Sequence, residues 1–163
     1  MMYEEIKTVR IGLFLVILTL LFGLGLGVSF GVNEDSFKSY IATGVNAHPE
    51  VHDSKSEDKI WRYAQRAHFH ATGIAAFSIG LVVLTMFSSL RAKLKSMAAI
   101  LIGLGGLYPL SWLSMYILAP SIGRDAAHHH IMTEIFTYAG VFGLLAGIGL
   151  LSANLFLECY QQD

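Results

Sequence analysis

The chain has 163 residues and a net charge of −1, and its composition is 54% hydrophobic and only 14% charged. This is too apolar for an ordinary soluble domain of this length, and the balanced charge gives no indication of nucleic-acid binding. The single cysteine, Cys159, excludes an intramolecular disulfide and any cysteine-rich metal site.

Four stretches without Asp, Glu, Lys or Arg are long enough to cross a bilayer core of about 30 Å. Backbone polar groups cannot stay unpaired in lipid, and the stretches lack the alternation of barrel strands. We therefore expect an all-α integral membrane four-helix bundle that forms a single transmembrane domain. The expected helices cover residues 11–33, 62–90, 96–119 and 126–157, and a polar external loop covers residues 34–61. Pro109 is expected to kink the third helix.

The orientation is predicted from basic residues near the ends of the helices. Lys7 and Arg10 precede the first helix, and the short second loop contains Arg91, Lys93 and Lys95. The positive-inside rule then places both termini in the cytoplasm, as in a bacterial inner membrane or another plasma membrane. The lipid bilayer is the first expected partner, and other membrane subunits or a second copy of the chain are further ones.

Helices 2 and 4 begin with similar sequences. Each has Ala-His-x-His, starting at Ala67 and Ala127, and each motif follows an arginine, Arg66 or Arg124. The helices that precede them are both rich in glycine. This similarity suggests the hypothesis of a duplicated helical hairpin, as found in parallel membrane repeats.

The histidines are the most specific functional signal in the chain. With four spans, the first and third loops face the same side of the membrane. All of the histidines therefore gather at one surface, which the predicted orientation makes the external one. They are His48, His52, His68, His70, His128, His129 and His130.

Residues three, four and seven apart share one face of a helix, and small or polar residues mark the packed interior of a membrane bundle. The face that contains His70 continues with Gly73 and Gly80, and the face that contains His130 continues with Thr133 and Gly140. We expect His70 and His130 to face the bundle core at matching depth.

His68 and His128 lie two residues earlier, about 200° around each helix. Glu134 is the only acid in the fourth apolar stretch and lies four residues after His130. A carboxylate at that depth is costly unless it is paired, so we expect it to bind a metal or to orient an imidazole. The guanidinium groups of Arg66 and Arg124 suit haem propionates.

Two kinds of site fit these residues, of which haem b is the leading expectation and copper or zinc the alternative. A b-type haem held between helices 2 and 4 would take His70 and His130 as axial ligands. A copper or zinc centre would take three or more imidazoles together with Glu134. The candidate ligands of such a centre are His70, His130, His68, His128, His129 and Glu134. We expect His48 and His52 to be solvated, and Tyr108, Trp112 and Met115 to belong to the core.

The segment from Arg66 to Gly73 reads Arg-Ala-His-Phe-His-Ala-Thr-Gly. It resembles a helix opening in the catalytic subunits of haem-copper oxidases and in related nitric-oxide-response membrane haem proteins. The resemblance covers eight residues. It implies that His68 and His70 bind haem or copper.

The leading expectation is a haem- or metal-binding protein that transfers electrons or belongs to a redox complex. The alternative is a non-catalytic accessory or structural subunit of a membrane complex. Transport of a metal or small solute is a third hypothesis, although the cytoplasmic halves of the helices offer few polar residues for a path. The sequence shows no nucleophile–base constellation, so a hydrolase is not expected.

Overall fold

The structure is a computed structural model that describes residues 2–160, with side chains from Glu4 onward. It contains helices and connecting turns, and no β-strand occurs in this range. The all-α prediction is therefore confirmed. The helices are α1 (Met2–Ala47), α2 (Ser56–Phe87), α3 (Ala92–Leu104), α4 (Tyr108–Ile122), α5 (Arg124–His128) and α6 (Ile131–Leu157).

Within the described part of the chain, four helical spans are long and apolar enough to cross a membrane, which confirms the predicted membrane bundle. They are α1, α2, the combined α3–α4 and α6. The first three spans pack against one another, whereas α6 packs along α3–α4 and touches α1 and α2 only marginally. The third span is therefore the centre of the bundle. We call the end that carries the α1–α2 connection and α5 the histidine end.

The predicted loop over residues 34–61 is wrong, because most of it is helical. Helix α1 continues to Ala47 beyond a local break at Asn33, where φ is −147° and ψ is 43°. In the extension, Ile41 packs in one buried cluster with Ile60 and Tyr116. The sequence here is polar on one face only, and its apolar face is covered by α2 and α4. The second helix likewise begins at Ser56, earlier than predicted.

The connection between α1 and α2 is docked on the end of α4. The Nε2 atom of His52 lies 3.0 Å from the carbonyl oxygen of Pro120 and donates to it, so His52 is not a solvated loop residue. Arg124 donates to the Asp53 carboxylate at 2.8 Å. The side chain of Val51 lies against Gly123, whose φ of +81° suits glycine. This contact closes the histidine end.

The third span is broken one turn before Pro109. Helix α3 ends at Leu104, and a 3₁₀ turn over Gly105–Leu107 leads into α4. Proline cannot donate a hydrogen bond, and the Tyr108 N–H satisfies the Gly105 carbonyl instead. The predicted irregularity is confirmed, and it sets the direction in which the Tyr108 side chain projects.

Glycines bring α6 close to the third span. A Cβ atom at Gly140 would collide with the backbone of Tyr108, and one at Gly147 would collide with Ile102. Thr133 and Gly140 are both buried. The predicted inward face of this helix is therefore confirmed from Thr133 onward.

The predicted continuous helix over residues 126–157 is wrong at its beginning. Helix α5 ends at His128 and α6 begins at Ile131. His130 is extended, with φ −67° and ψ 138°, and its Nδ1 accepts the N–H of Met132 at 3.3 Å, so the imidazole caps α6. Thr133 bridges the break by donating to the carbonyl oxygen of Ala127 at 2.8 Å.

Candidate functional site

Contrary to the prediction, the face of α2 that continues from His70 is exposed, although His70 itself is half-buried against α4. Gly73, Phe77 and Gly80 are exposed on the lipid-facing surface. The buried face carries small residues of a different stripe, namely Ala64, Ala67, Ala71, Ala75 and Ser78. Small residues occur on both faces of this helix, and the alanine face gives the closer packing.

His70 packs against aromatic side chains of α4. Its ring is stacked on Trp112, with centroids 5.8 Å apart and planes 13° apart, and it meets Tyr108 edge-on at 5.0 Å. His130 instead caps its own helix. The predicted shared pocket for His70 and His130 is therefore not formed, because α4 lies between α2 and α6.

His68 lies in the contact between α1 and α2. Its Nδ1 is 2.8 Å from the carbonyl oxygen of Gly23, and its ring lies over Gly27, where a Cβ atom would collide with it. A carbonyl oxygen only accepts, so Nδ1 of His68 donates this hydrogen bond. Metal-ligating imidazoles are commonly oriented by such a bond.

A cavity of about 140 Å³ opens between α4 and α6 at the histidine end. Helix α4 supplies aromatic and thioether groups, the end of α5 and the break after it supply two imidazoles, and the first turn of α6 supplies a carboxylate. The lining residues are Tyr108, Ser111, Trp112, Met115, His128, His129, Thr133, Glu134, Thr137 and Tyr138. Two candidate ligands from the predicted fourth span, His128 and His129, thus share one cavity with Glu134.

The break between α5 and α6 decides which imidazole meets Glu134. The Nδ1 atom of His129 lies 3.5 Å from Oε1 of Glu134. The rings of His128 and His129 are 4.9 Å apart and nearly perpendicular. Side-chain exposure is 66% for His129 and 38% for Glu134, so both groups have room to rotate. His129 therefore takes the place beside Glu134 that the sequence suggested for His130.

The two predicted arginines have different environments. Arg124 is engaged in the ion pair with Asp53, so it is not available as a propionate partner. Arg66 lies above the Trp112 ring, with its Cζ atom 4.6 Å from the ring centroid. Of these two arginines, Arg66 is the one without a carboxylate partner among the described side chains.

The candidate metal ligands are not preassembled. Within residues 2–160, no group of three or more His, Cys, Asp or Glu side chains is arranged to hold a metal ion. His128, His129 and Glu134 line one cavity, but their donor atoms do not yet surround one point. Binding would therefore require a side-chain rotation that brings His128 to the pair formed by His129 and Glu134.

Sequence reasoning assigned Tyr108, Trp112 and Met115 of the cavity wall to the core. Tyr108, Ser111, Trp112 and Met115 recur at spacings of three, four and seven, which places them on one helical face. That spacing is the signal that could have identified the cavity wall. The spacing does not show which helix faces this wall, because that depends on how the helices pack in the bundle.

Comparisons with protein-family models, curated proteins and solved structures found no match to this chain. Function is therefore inferred from the residues of the site.

Proposed function

We propose that this protein binds a copper or zinc ion in the α4–α6 cavity through His128, His129 and Glu134. The 3.5 Å between His129 Nδ1 and Glu134 Oε1 carries the proposal. Zinc–nitrogen and zinc–oxygen bonds of about 2.1 Å place two donors on a tetrahedral ion about 3.4 Å apart. A hydrogen bond would hold the same atoms at about 2.7–3.2 Å. The observed spacing suits a shared ion better than a direct bond.

The size of the cavity favours a metal ion over haem. A volume of about 140 Å³ holds an ion and a few waters, since a water occupies about 30 Å³ of liquid. Sites for drug-sized ligands measure about 300–1,000 Å³. A haem b bound by His70 and His130 would also have to displace the stacked Trp112. The haem hypothesis draws less support from this geometry.

The thioether of Met115 bears on the choice of metal. Met115 lines the cavity and is 3% exposed. Thioether ligands select copper(I), whereas imidazoles suit both copper and zinc. A copper ion there would serve electron transfer at the external face, and a zinc ion would join α5 to α6.

The test is the metal content of the purified protein without a polyhistidine tag. The protein is stripped with a chelator, loaded with copper or zinc, desalted and measured by elemental analysis. We expect about one ion per chain in the wild type and a large loss in His129→Ala and Glu134→Gln. His48→Ala is the matched control, because this imidazole lies in the α1–α2 connection. Equal metal content in all variants would overturn the proposal.

An absorption spectrum of the same sample tests the haem alternative. A Soret band that is retained in His129→Ala and lost in His70→Ala would assign the cofactor to α2 instead. The His70 substitution removes the imidazole that stacks on Trp112 and leaves the α4–α6 cavity lined as before.

An accessory membrane subunit is the second candidate. The exposed glycines Gly73 and Gly80 lie seven residues apart on α2, and a Cβ atom at either would meet open space. Small residues commonly mark helix contacts in membranes. Gly80→Leu would disrupt co-purification with a partner without changing the metal content, whereas unchanged co-purification would count against this candidate.

A further inference from the structure

A second polar cavity lies on α2 at the histidine end, outside the proposed metal site. It measures about 220 Å³ and is lined by Lys59, Arg62, Tyr63 and Arg66. These positions are separated by three, four and seven residues, so they share one helical face. We call this feature the basic groove.

The cations of the basic groove have no described carboxylate in ion-pair contact, although the charge of Lys59 helps to lower the pKa of Asp53. Among the described side chains, no carboxylate oxygen lies within 4 Å of Lys59, Arg62 or Arg66. Elsewhere at this end, Lys38 pairs with Glu34, and Arg124 pairs with an aspartate. Like charges on one helical face repel each other. Three such charges around one cavity favour an anionic occupant.

Aromatic packing holds part of the groove in place. Arg66 lies 4.6 Å from the centroid of Trp112, and the Tyr63 ring lies 5.8 Å from the same ring. Stacking reduces the freedom of the guanidinium, and its planar donors match phosphate oxygens in pairs. The groove is thus partly ordered before an anion arrives.

The depth of the groove matches the lipid phosphates. The apolar stretch of α2 begins at Ala67, directly after Arg66. From Lys59 to Arg66 the helix rises about 10 Å at about 1.5 Å per residue. The headgroup layer adds about 5–7 Å on each side of the hydrocarbon core. The three cations therefore span the level at which phospholipid phosphates lie.

We propose that the basic groove binds a phosphate group, and that an anionic phospholipid headgroup is its source. Arg62 and Arg66 donate to the phosphate oxygens, and Lys59 adds charge at the outer edge. Tyr63 supplies a wall of the groove. The proposal is independent of the metal site, because no groove residue lines the α4–α6 cavity.

The test is native mass spectrometry of the full chain released from nanodiscs. The nanodiscs contain phosphatidylcholine with or without phosphatidylglycerol. We expect the wild type to retain one phosphatidylglycerol, and Arg62→Gln to lower its occupancy at least tenfold. Lys55→Gln is the matched control, because it removes one charge from the same end outside the groove. Tyr63→Phe keeps the wall and should leave binding intact.

A second arm adds millimolar inorganic phosphate to protein in nanodiscs that contain phosphatidylglycerol and, separately, to protein in zwitterionic nanodiscs. Retained phosphatidylglycerol that free phosphate does not displace identifies a lipid. Phosphate binding that depends on Arg62, without retained lipid, keeps the site but assigns a soluble phosphate. Equal behaviour of Arg62→Gln, Lys55→Gln and the wild type in both arms would overturn the proposal.

Discussion

His129 Nδ1 and Glu134 Oε1 lie 3.5 Å apart although they belong to different structural segments. His129 is in the break after α5, and Glu134 is in the first turn of α6. In an unbroken helix, His130 would be the i−4 neighbour of Glu134. The break turns His130 into a helix cap and brings His129 to the carboxylate. A backbone irregularity thus selects the imidazole that faces the cavity.

Close packing of α6 on Tyr108 is needed to hold this cavity in shape. Gly140→Ala should destabilise the protein by about 1–3 kcal/mol, because the new methyl group meets the Tyr108 backbone. Gly149→Ala is the control, since a Cβ atom there meets nothing. It should be neutral or stabilising by up to about 1 kcal/mol through helix propensity. Thermal unfolding in detergent measures both, and equal midpoints would contradict the packing account.

An ion pair with a buried lysine fastens the opposite end of the bundle. The Lys95 ammonium lies 2.8 Å from Glu5 and 2.9 Å from the Met86 carbonyl oxygen, and the side chain is 8% exposed for Lys95 and 41% exposed for Glu5. Glu5→Gln removes the counter-charge and should cost about 1–3 kcal/mol, since a buried charge is left with weaker partners. A lower thermal midpoint is the expected result.

Lys93→Met is the matched control for this pair, because Lys93 is exposed on the same helix. It should change stability by no more than about 0.5 kcal/mol. If Glu5→Gln behaves like this control, the ion pair does not contribute to stability.

Docking of the α1–α2 connection on α4 should weaken in strong acid. Hydrogen bonds from the Lys55 N–H and the Ser56 hydroxyl, and then the charge of Arg124, hold the pKa of Asp53 below its ordinary value of 3.8. A lowered folded-state pKa means that the stabilisation is present above pH 3.8 and is lost as the pH falls below it. The connection should therefore loosen only in strong acid.

A nitroxide at Glu50→Cys, in a Cys159→Ser background, reports this loosening by electron paramagnetic resonance. The label should be restricted at pH 7 and gain mobility below pH 3.8. Asp53→Asn should show the mobile spectrum at both pH values. A label that stays equally restricted in Asp53→Asn would show that the carboxylate does not hold the connection.

The membrane spans could be predicted because long uncharged stretches leave lipid as the only suitable solvent. The helical extension after Asn33 could not, because its polar residues resemble a loop until α2 and α4 cover Phe37 and Ile41. A single chain segment does not show which of its faces another segment will bury. The duplicated hairpin stays a prediction.

The site was predictable in composition but not in detail. Clustering of histidines at one end follows from four spans and requires no structure. The partner of Glu134 depends on the break before α6, and the environment of His70 depends on α4 passing between α2 and α6. Helical periodicity assumes continuous helices and adjacent faces, and both assumptions failed at these positions.

The most direct test of the central claim is X-ray absorption spectroscopy of the protein loaded with one equivalent of copper or zinc. We predict nitrogen and oxygen scatterers at about 2.0–2.1 Å with an imidazole outer-shell pattern. One imidazole should be lost in His129→Ala, and the oxygen contribution should weaken in Glu134→Gln. A spectrum that neither substitution changes would contradict metal binding in the α4–α6 cavity.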